Sequence, residues 1–278
     1  MSLISSALRP NRAERAVRWT IVVYVILLVA VPLAGIAYYG LADGVGLFWE
    51  RVTAPVARSA LGLSIWTGLL VGLFNTVVGT AAAWVLVRYP IPGRSLLTAA
   101  VDLPLAIPTL VAGVMLVVLY GPTSLVGEKL SIMDVEVAFA RPGIVLALMF
   151  VTFPFVVRAV EPVLSEIDPA EEEAAIVLGA GPWKTFRTVF VPAIMPAALS
   201  GGIRSVGRAL GEFGSIVVIA GNIPFETLTG PVFIFGEIES GSPKVAAAVS
   251  AVLLLVALAL HGAARIAEAY TGARHAVG

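Results

Sequence analysis

Charged residues are scarce in this chain, so those that interrupt its apolar stretches are the first places to look for chemistry. In residues 202–215, Arg204, Arg208 and Glu212 recur at i, i+4 and i+8. A helix places such residues on one face. Charge inside an apolar helix is costly and usually faces a bundle interior or a wet cavity. Two readings stay open. The face borders a route for an anion, or Arg208 and Glu212 form a structural pair while Arg204 reaches to the interface. A glutamate on an anion route repels its cargo unless an arginine neutralises it, which favours the pair. Residues 179–185 read Gly-Ala-Gly-Pro-Trp-Lys-Thr and have the outline of a phosphate loop. They lack a glycine before Lys184, and Pro182 removes a backbone donor that the cradle needs. ATP chemistry is therefore not expected in this chain. Cysteine is absent, and His261 and His275 are the two histidines. That composition excludes disulfides and thiolate sites and argues against an imidazole metal cage. No acid–base pair, nucleophile elbow or metal cluster is visible, so no catalytic residue is assigned.

The elements that must position these residues are membrane helices. The chain has 278 residues, 59% hydrophobic and 13% charged. A soluble domain is about a quarter charged. Lys plus Arg equals Asp plus Glu, so the net charge gives no sign of a nucleic-acid partner. Lipid is the expected solvent for most of the surface. A bilayer core takes about 20 apolar residues per helix. Six segments qualify: residues 19–39, 61–87, 99–120, 143–160, 197–220 and 245–261. The expected fold is all-α and integral to the membrane, a single transmembrane domain over residues 1–278, its first helix at 19–39 and its core at about 58–265. Arg9, Arg12, Arg15 and Arg18 before the first segment resemble a signal-peptide flank, but the run is long and ends in no small-residue cleavage site. A retained helix is expected. Asp102 is expected at the start of the third helix, and Pro154 is expected to break the fourth.

Basic residues in short loops set orientation. With the N-terminus in the cytoplasm, Arg88, Arg94, Arg158, Lys184, Arg187, Arg265 and Arg274 also lie inside, with Arg204 and Arg208 near the inner end of the fifth helix. The outer loops are acidic, with Glu128, Asp134, Glu136, Glu226, Glu237 and Glu239. Both termini are therefore expected in the cytoplasm of a multi-pass inner-membrane protein. Asn222 and Glu226 fall at the outer end of the fifth helix, where Asn222 is a possible outer-side contact. Glu161 and Glu166 are expected to be solvated.

The longest inner connection, residues 161–192, carries ordered helix signals. Asp168 can cap, Glu171 completes a box-like pattern, and Pro169 fits the first helical position. Glutamates crowd the first turn, where the helix dipole favours them. Gly179 suits the left-handed residue that ends a helix. Residues 183–191 can form a second, aromatic and basic arm. The local chemistry describes a helical hairpin, either a well-capped loop or a docking element.

The spacing resembles a known pattern. Glu173-Ala174-Ala175, three residues, Gly179, nine residues, then Val189-Phe190-Val191-Pro192 is similar to the EAA loop of ABC-importer permeases, with valines in place of isoleucine and leucine. Residues 103–113, Leu-Pro-Leu-Ala-Ile-Pro-Thr-Leu-Val-Ala-Gly, resemble the wider oxyanion group. Residues 208–214 and 215–224, ending Ala220-Gly221-Asn222-Ile223-Pro224, resemble the sulfate/thiosulfate ABC permease family and its T-type subunit. Molybdate permeases share the Gly-Glu-Phe-Gly core. The likeness runs from about Arg58 onward.

This resemblance implies a type I importer permease with the MetI-like fold: six transmembrane helices and a cytoplasmic coupling hairpin between the fourth and fifth. It implies that Glu173, Ala174, Ala175, Gly179, Val189 and Pro192 meet an ATPase subunit, present in two copies and using ATP and Mg. It implies a second, W-type permease and a periplasmic or lipid-anchored sulfate-binding protein. Sulfate or thiosulfate would be the cargo. The alternatives are molybdate or tungstate in the same machine, and an ATP-independent secondary anion transporter.

Overall fold

The structure, a computed structural model, describes residues 12–275. Arg9 of the basic N-terminal segment lies outside the described residues, as do the side chains of Arg12, Arg274 and His275. Among the described residues every regular element is helical. Helix α1 (Arg12–Leu41) is followed by α2 (Val45–Thr53) and α3 (Pro55–Arg88). Pro55 opens α3 at a position where its missing N–H has no partner to lose. The 34 residues of α3 extend roughly 51 Å at the α-helical rise, longer than a bilayer core of about 30 Å.

The third expected span is not one straight helix. Residues 99–120 fall in α4 (Arg94–Ala106) and α5 (Thr109–Tyr120), whose axes meet at 111°. Pro108 forces the break, because a proline ring disfavours the helical conformation of the residue before it. Ile107 is extended, at φ −79° and ψ 129°. The carbonyl of Pro108 then accepts from Ala112 N at 3.1 Å, and α5 restarts. Asp102 therefore stands near the end of α4 rather than at the start of a helix.

After α6 (Leu125–Ser131), α7 (Arg141–Glu166) runs longer than expected and is not ended by Pro154. Neighbouring helices tolerate such a proline by supporting the freed backbone groups. Next come α8 (Pro169–Val177), α9 (Pro182–Thr185), a π-helical turn (Phe186–Phe190) and α10 (Val191–Leu210). Helix α9, the turn and α10 form one continuous span, Pro182–Leu210. The fifth span thus begins well before residue 197, and Arg204 and Arg208 move from its expected inner end toward the end remote from the hairpin. The chain closes with α11 (Gly214–Ile219), α12 (Gly230–Glu239) and α13 (Pro243–His275). Among the described residues, five helices are long and apolar enough to cross a membrane, or six if the bent pair is one span.

Helices α3, α7 and α10 pack on one another to form the centre. Lipid is as apolar as leucine, so close packing and hydrogen bonds hold such helices together rather than hydrophobic burial. A Cβ on Gly72 would lie 2.2 Å from Val206 Cγ2, and one on Gly202 would lie 2.1 Å from Thr76 Oγ1. These two glycines let α3 and α10 approach. Gly207, by contrast, has open space over it. Where the three helices cross, Asn75 Nδ2 donates to Thr152 Oγ1 at 2.8 Å, and Ser205 Oγ donates to Thr152 Oγ1 at 2.9 Å. All three side chains are fully buried. Helix α1 packs along α13 at the periphery. Asp43 joins the ends of α1, α2 and α13 by pairing with Arg51 and, at 2.6 Å, with Lys244. Hydrogen bonds from Arg51 and then Lys244 hold its carboxyl below the usual carboxylate range.

Helix α5 lies against α11, and the contact requires Gly113. A Cβ there would sit 2.6 Å from Ser215 O and 2.9 Å from Ser215 Cα. Both are backbone atoms that cannot swing aside. Gly113→Ala is expected to cost about 1–3 kcal/mol through overpacking, read as a lower melting temperature in detergent. Gly62→Ala, with nothing within 4 Å, serves as the control and is expected to melt no lower than the native chain. Equal melting of the two variants would show that α5 and α11 do not pack this closely.

Candidate functional site

The hairpin forms as the local signals predict. Asp168 Oδ1 accepts from Ala170 N at 2.9 Å and caps α8. Gly179 takes φ +80°, the left-handed conformation that ends the helix. Gly179 N donates to Ile176 O at 2.9 Å and Ala180 N to Ala175 O at 3.0 Å, satisfying the last carbonyls. The second arm is a short α turn running into a π turn rather than a separate helix. Wider π turns are uncommon and concentrate at functional sites. Here the π turn brings Phe186 and Phe190 together on Trp84 of α3, with centroids 5.1 and 4.9 Å away and near-perpendicular rings.

What the hairpin leaves outside matters most. Among the described residues, α8 has no buried side chain. Glu173, Ala174, Gly179 and Pro192 are exposed, while Ala175 and Val189 are half-buried. Val177 is 86% exposed, Leu178 85% and Trp183 73%. Val177 and Leu178 lie outside the candidate spans and Trp183 at the very start of the span Pro182–Leu210, where a monomer in water would not leave them bare. The expected ATPase-facing residues are thus brought onto one hairpin, with Val189 turned toward the cluster around Phe190 and Ile194.

The charged residues of the fifth span are only partly on one face. Helix α10 ends at Leu210, so Glu212 lies in the turn before α11 rather than two helical turns beyond Arg204. Arg208 Nη2 still reaches Glu212 Oε2 at 2.8 Å. The other oxygen, Oε1, accepts from Ser215 N at 2.9 Å and from Ser215 Oγ at 2.8 Å. Glu212 is therefore buried and shared between an ion pair and the start of α11, while Arg204 is exposed on the flank of α10. Asn222 takes a left-handed φ of 58°, and its Nδ2 donates to Val217 O at 2.8 Å. It shapes the loop after α11, and Arg141 Nε holds that loop through Glu226 O at 2.9 Å.

Several residues of the site had no signal in the sequence. Arg158 of α7 binds Asp102 of α4 in a fork, with Nε to Oδ1 at 2.7 Å, and donates to Glu161 Oε2 at 2.7 Å. Arg94 approaches Glu161 at 3.9 Å. Glu161 is thus a paired residue and not a solvated one, because Arg158 stands one turn before it on α7 and the α4–α7 contact brings Arg94 near. Arg88 Nη2 pairs with Glu172 Oε2 across the base of the hairpin. All of these pairs except Arg158–Glu161, three residues apart on α7, join residues far apart in sequence, so spacing along the chain could not reveal them. Among the described residues no group of three or more His, Asp or Glu is arranged to hold a metal.

Comparison with known proteins agrees with this geometry. Residues 75–268 match the family described as binding-protein-dependent transport system inner membrane component. The chain is 43% identical over 250 residues to the probable sulfate transport system permease protein cysT of Nephroselmis olivacea, covering 89% of this chain and 88% of that protein. It is 40% identical over 246 residues to the sulfate transport system permease protein CysT of a Synechocystis strain, covering 88% and 86%. Its fold matches a chain of the bacterial alginate ABC transporter, solved with an alginate pentasaccharide-bound periplasmic protein, at a TM-score of 0.76 and 19% identity over 90% of this chain and 91% of that one. The chain belongs to the binding-protein-dependent transport system inner membrane component family, among the CysT-type permeases.

Proposed function

We propose that this chain is a transmembrane subunit of an ATP-driven importer of sulfate and thiosulfate, forming half of the translocation pathway. The observation that carries the reading is the exposed hairpin, whose Glu173–Pro192 spacing and bare apolar side chains suit docking to another protein at one end of a membrane bundle. The docked partner would be an ATPase subunit, two copies per complex, which binds ATP and Mg; this chain carries no phosphate loop. A W-type permease would complete the pathway, and a periplasmic or lipid-anchored binding protein would deliver the anion. The hairpin would then face the cytoplasm, with both termini on the same side. The sulfate cargo rests on the likeness to proteins named as sulfate permeases.

The test is radiolabelled sulfate uptake in cells that lack this gene and any other sulfate importer, with and without its restoration. Uptake restored by the gene, competed by excess thiosulfate and not by molybdate, is the expected result. Restored molybdate uptake with no sulfate uptake would move the cargo to molybdate, whose permeases share the Gly211–Gly214 core.

A further inference from the structure

The hairpin has three long neighbours, and it is joined differently to each. Helix α7 runs into it at Ile167, and α10 leaves it through the π turn, so both are covalently continuous with it. Helix α3 is not. Yet α3 is the helix through which movement could reach the whole centre, because Asn75 holds Thr152 of α7 and, at 3.4 Å, Ser205 of α10. Helix α8 buries none of its residues fully and rests on the bundle through the second arm. Its chain connections, at Gly179-Ala180-Gly181 and at the extended Ile167, are non-helical.

The last residue of α3, Arg88, bridges this gap. Its Nη2 donates to Glu172 Oε2 on α8. The same guanidinium lies over the ring of Phe190 in the second arm, with Cζ 4.7 Å from the centroid, and 5.7 Å from the Trp84 ring on its own helix. Phe190 is buried, so the face that Arg88 covers is fixed. Arginine suits this place because its planar, permanently charged group can stack on an aromatic ring while one edge binds a carboxylate. A lysine could do only one of the two well. The pair is about a third exposed on each side, so it adds little to fold stability. Its geometry instead joins three elements at one point.

We propose that Arg88 is a positioning residue that ties the coupling helix to α3: Glu172 passes displacement of α8 to Arg88, and α3 carries it to the centre. The proposal rests on the docking role of the hairpin. Glu172 and Glu173 are neighbours with separate tasks, the first turned inward to Arg88 and the second outward.

The experiment uses the complete complex in proteoliposomes with ATPase, both permeases and binding protein. It compares Arg88→Gln, Glu172→Gln, the exchange Arg88→Glu/Glu172→Arg, and Glu173→Arg. ATPase retention, ATP hydrolysis and radiolabelled sulfate import are measured on each. Both glutamine variants are expected to keep the ATPase subunit and their melting temperature, and to import about tenfold less sulfate per ATP hydrolysed, within the usual range of coupling between sites. The exchange should restore part of that ratio, because it renews the ion pair but leaves no cation over Phe190. Native stoichiometry in Glu172→Gln overturns the tie. Loss of the ATPase subunit from Glu172→Gln also overturns it and places Glu172 in the docking face. Glu173→Arg separates the two ideas: if it sheds the ATPase while Glu172→Gln remains coupled, docking stands and the tie fails. If Glu173→Arg keeps the ATPase and imports normally, the docking role itself fails.

Discussion

Replacing Glu212 by alanine is expected to destabilise the end of the bundle remote from the hairpin. Its side chain is 1% exposed, and it accepts from Arg208, Ser215 N and Ser215 Oγ. Removing a buried acceptor leaves its donors unsatisfied, and breaking a buried pair strands its partner. Together these cost about 2–4 kcal/mol; the upper end is discounted because Arg208 is 33% exposed and can be solvated. The variants divide the two tasks. Glu212→Gln keeps an oxygen for Ser215 and loses the ion pair. The exchange Arg208→Glu/Glu212→Arg keeps opposite charges and loses the acceptor at the start of α11. A purely ionic role would let the exchange recover stability. The shared role makes the exchange melt close to Glu212→Ala, with Glu212→Gln above both. Melting of the purified permease in detergent decides this, and an exchanged chain as stable as the native one would leave the Ser215 bonds with no part in it.

The second large effect is expected at the hairpin. Glu173→Lys should leave insertion and folding intact, because the side chain is exposed and makes no packing contact that holds the bundle. It should weaken ATPase docking by about 2 kcal/mol if Glu173 lies at the centre of the contact, roughly thirtyfold in affinity. Gly179→Val acts differently. A β-branched residue at φ +80° carries about 1–2 kcal/mol of steric cost, which distorts the turn between the arms rather than changing their charge. Both variants should reach the membrane in native amounts and fail in sulfate import. Co-purification of the ATPase subunit and uptake are the two readouts. Normal uptake by Glu173→Lys would remove Glu173 from the docking face.

Much of the fold was legible because its signals are local. Length and hydropathy mark the membrane segments, and each corresponds to a helix or a pair of helices. The hairpin was legible in detail, since Asp168 and Gly179 act through bonds to residues a few positions away and Pro169 through its own ring. The bend at Ile107-Pro108 also had a local cause, but a count of apolar residues passes over a proline without registering it. The same counting began the fifth span at residue 197, because the polar arm from Pro182 did not look like part of a membrane helix. The π turn joins the two, and that joining shifts Arg204 and Arg208 away from the hairpin end.

The sequence by itself determined that this chain is a multi-span helical protein, which residues form the hairpin, and which family its motifs resemble. Those properties follow from hydropathy, capping and spacing, which act over a few residues. The tertiary structure alone decided the partners: Asn75 with Thr152 and Ser205, Arg158 with Asp102, Arg88 with Glu172, and the second task of Glu212. All but the last join residues from different helices. Such pairs depend on where helices cross, and crossing depends on how closely glycines such as Gly72 and Gly202 let two backbones approach. No pattern along one segment records that distance, because it is a property of two surfaces meeting.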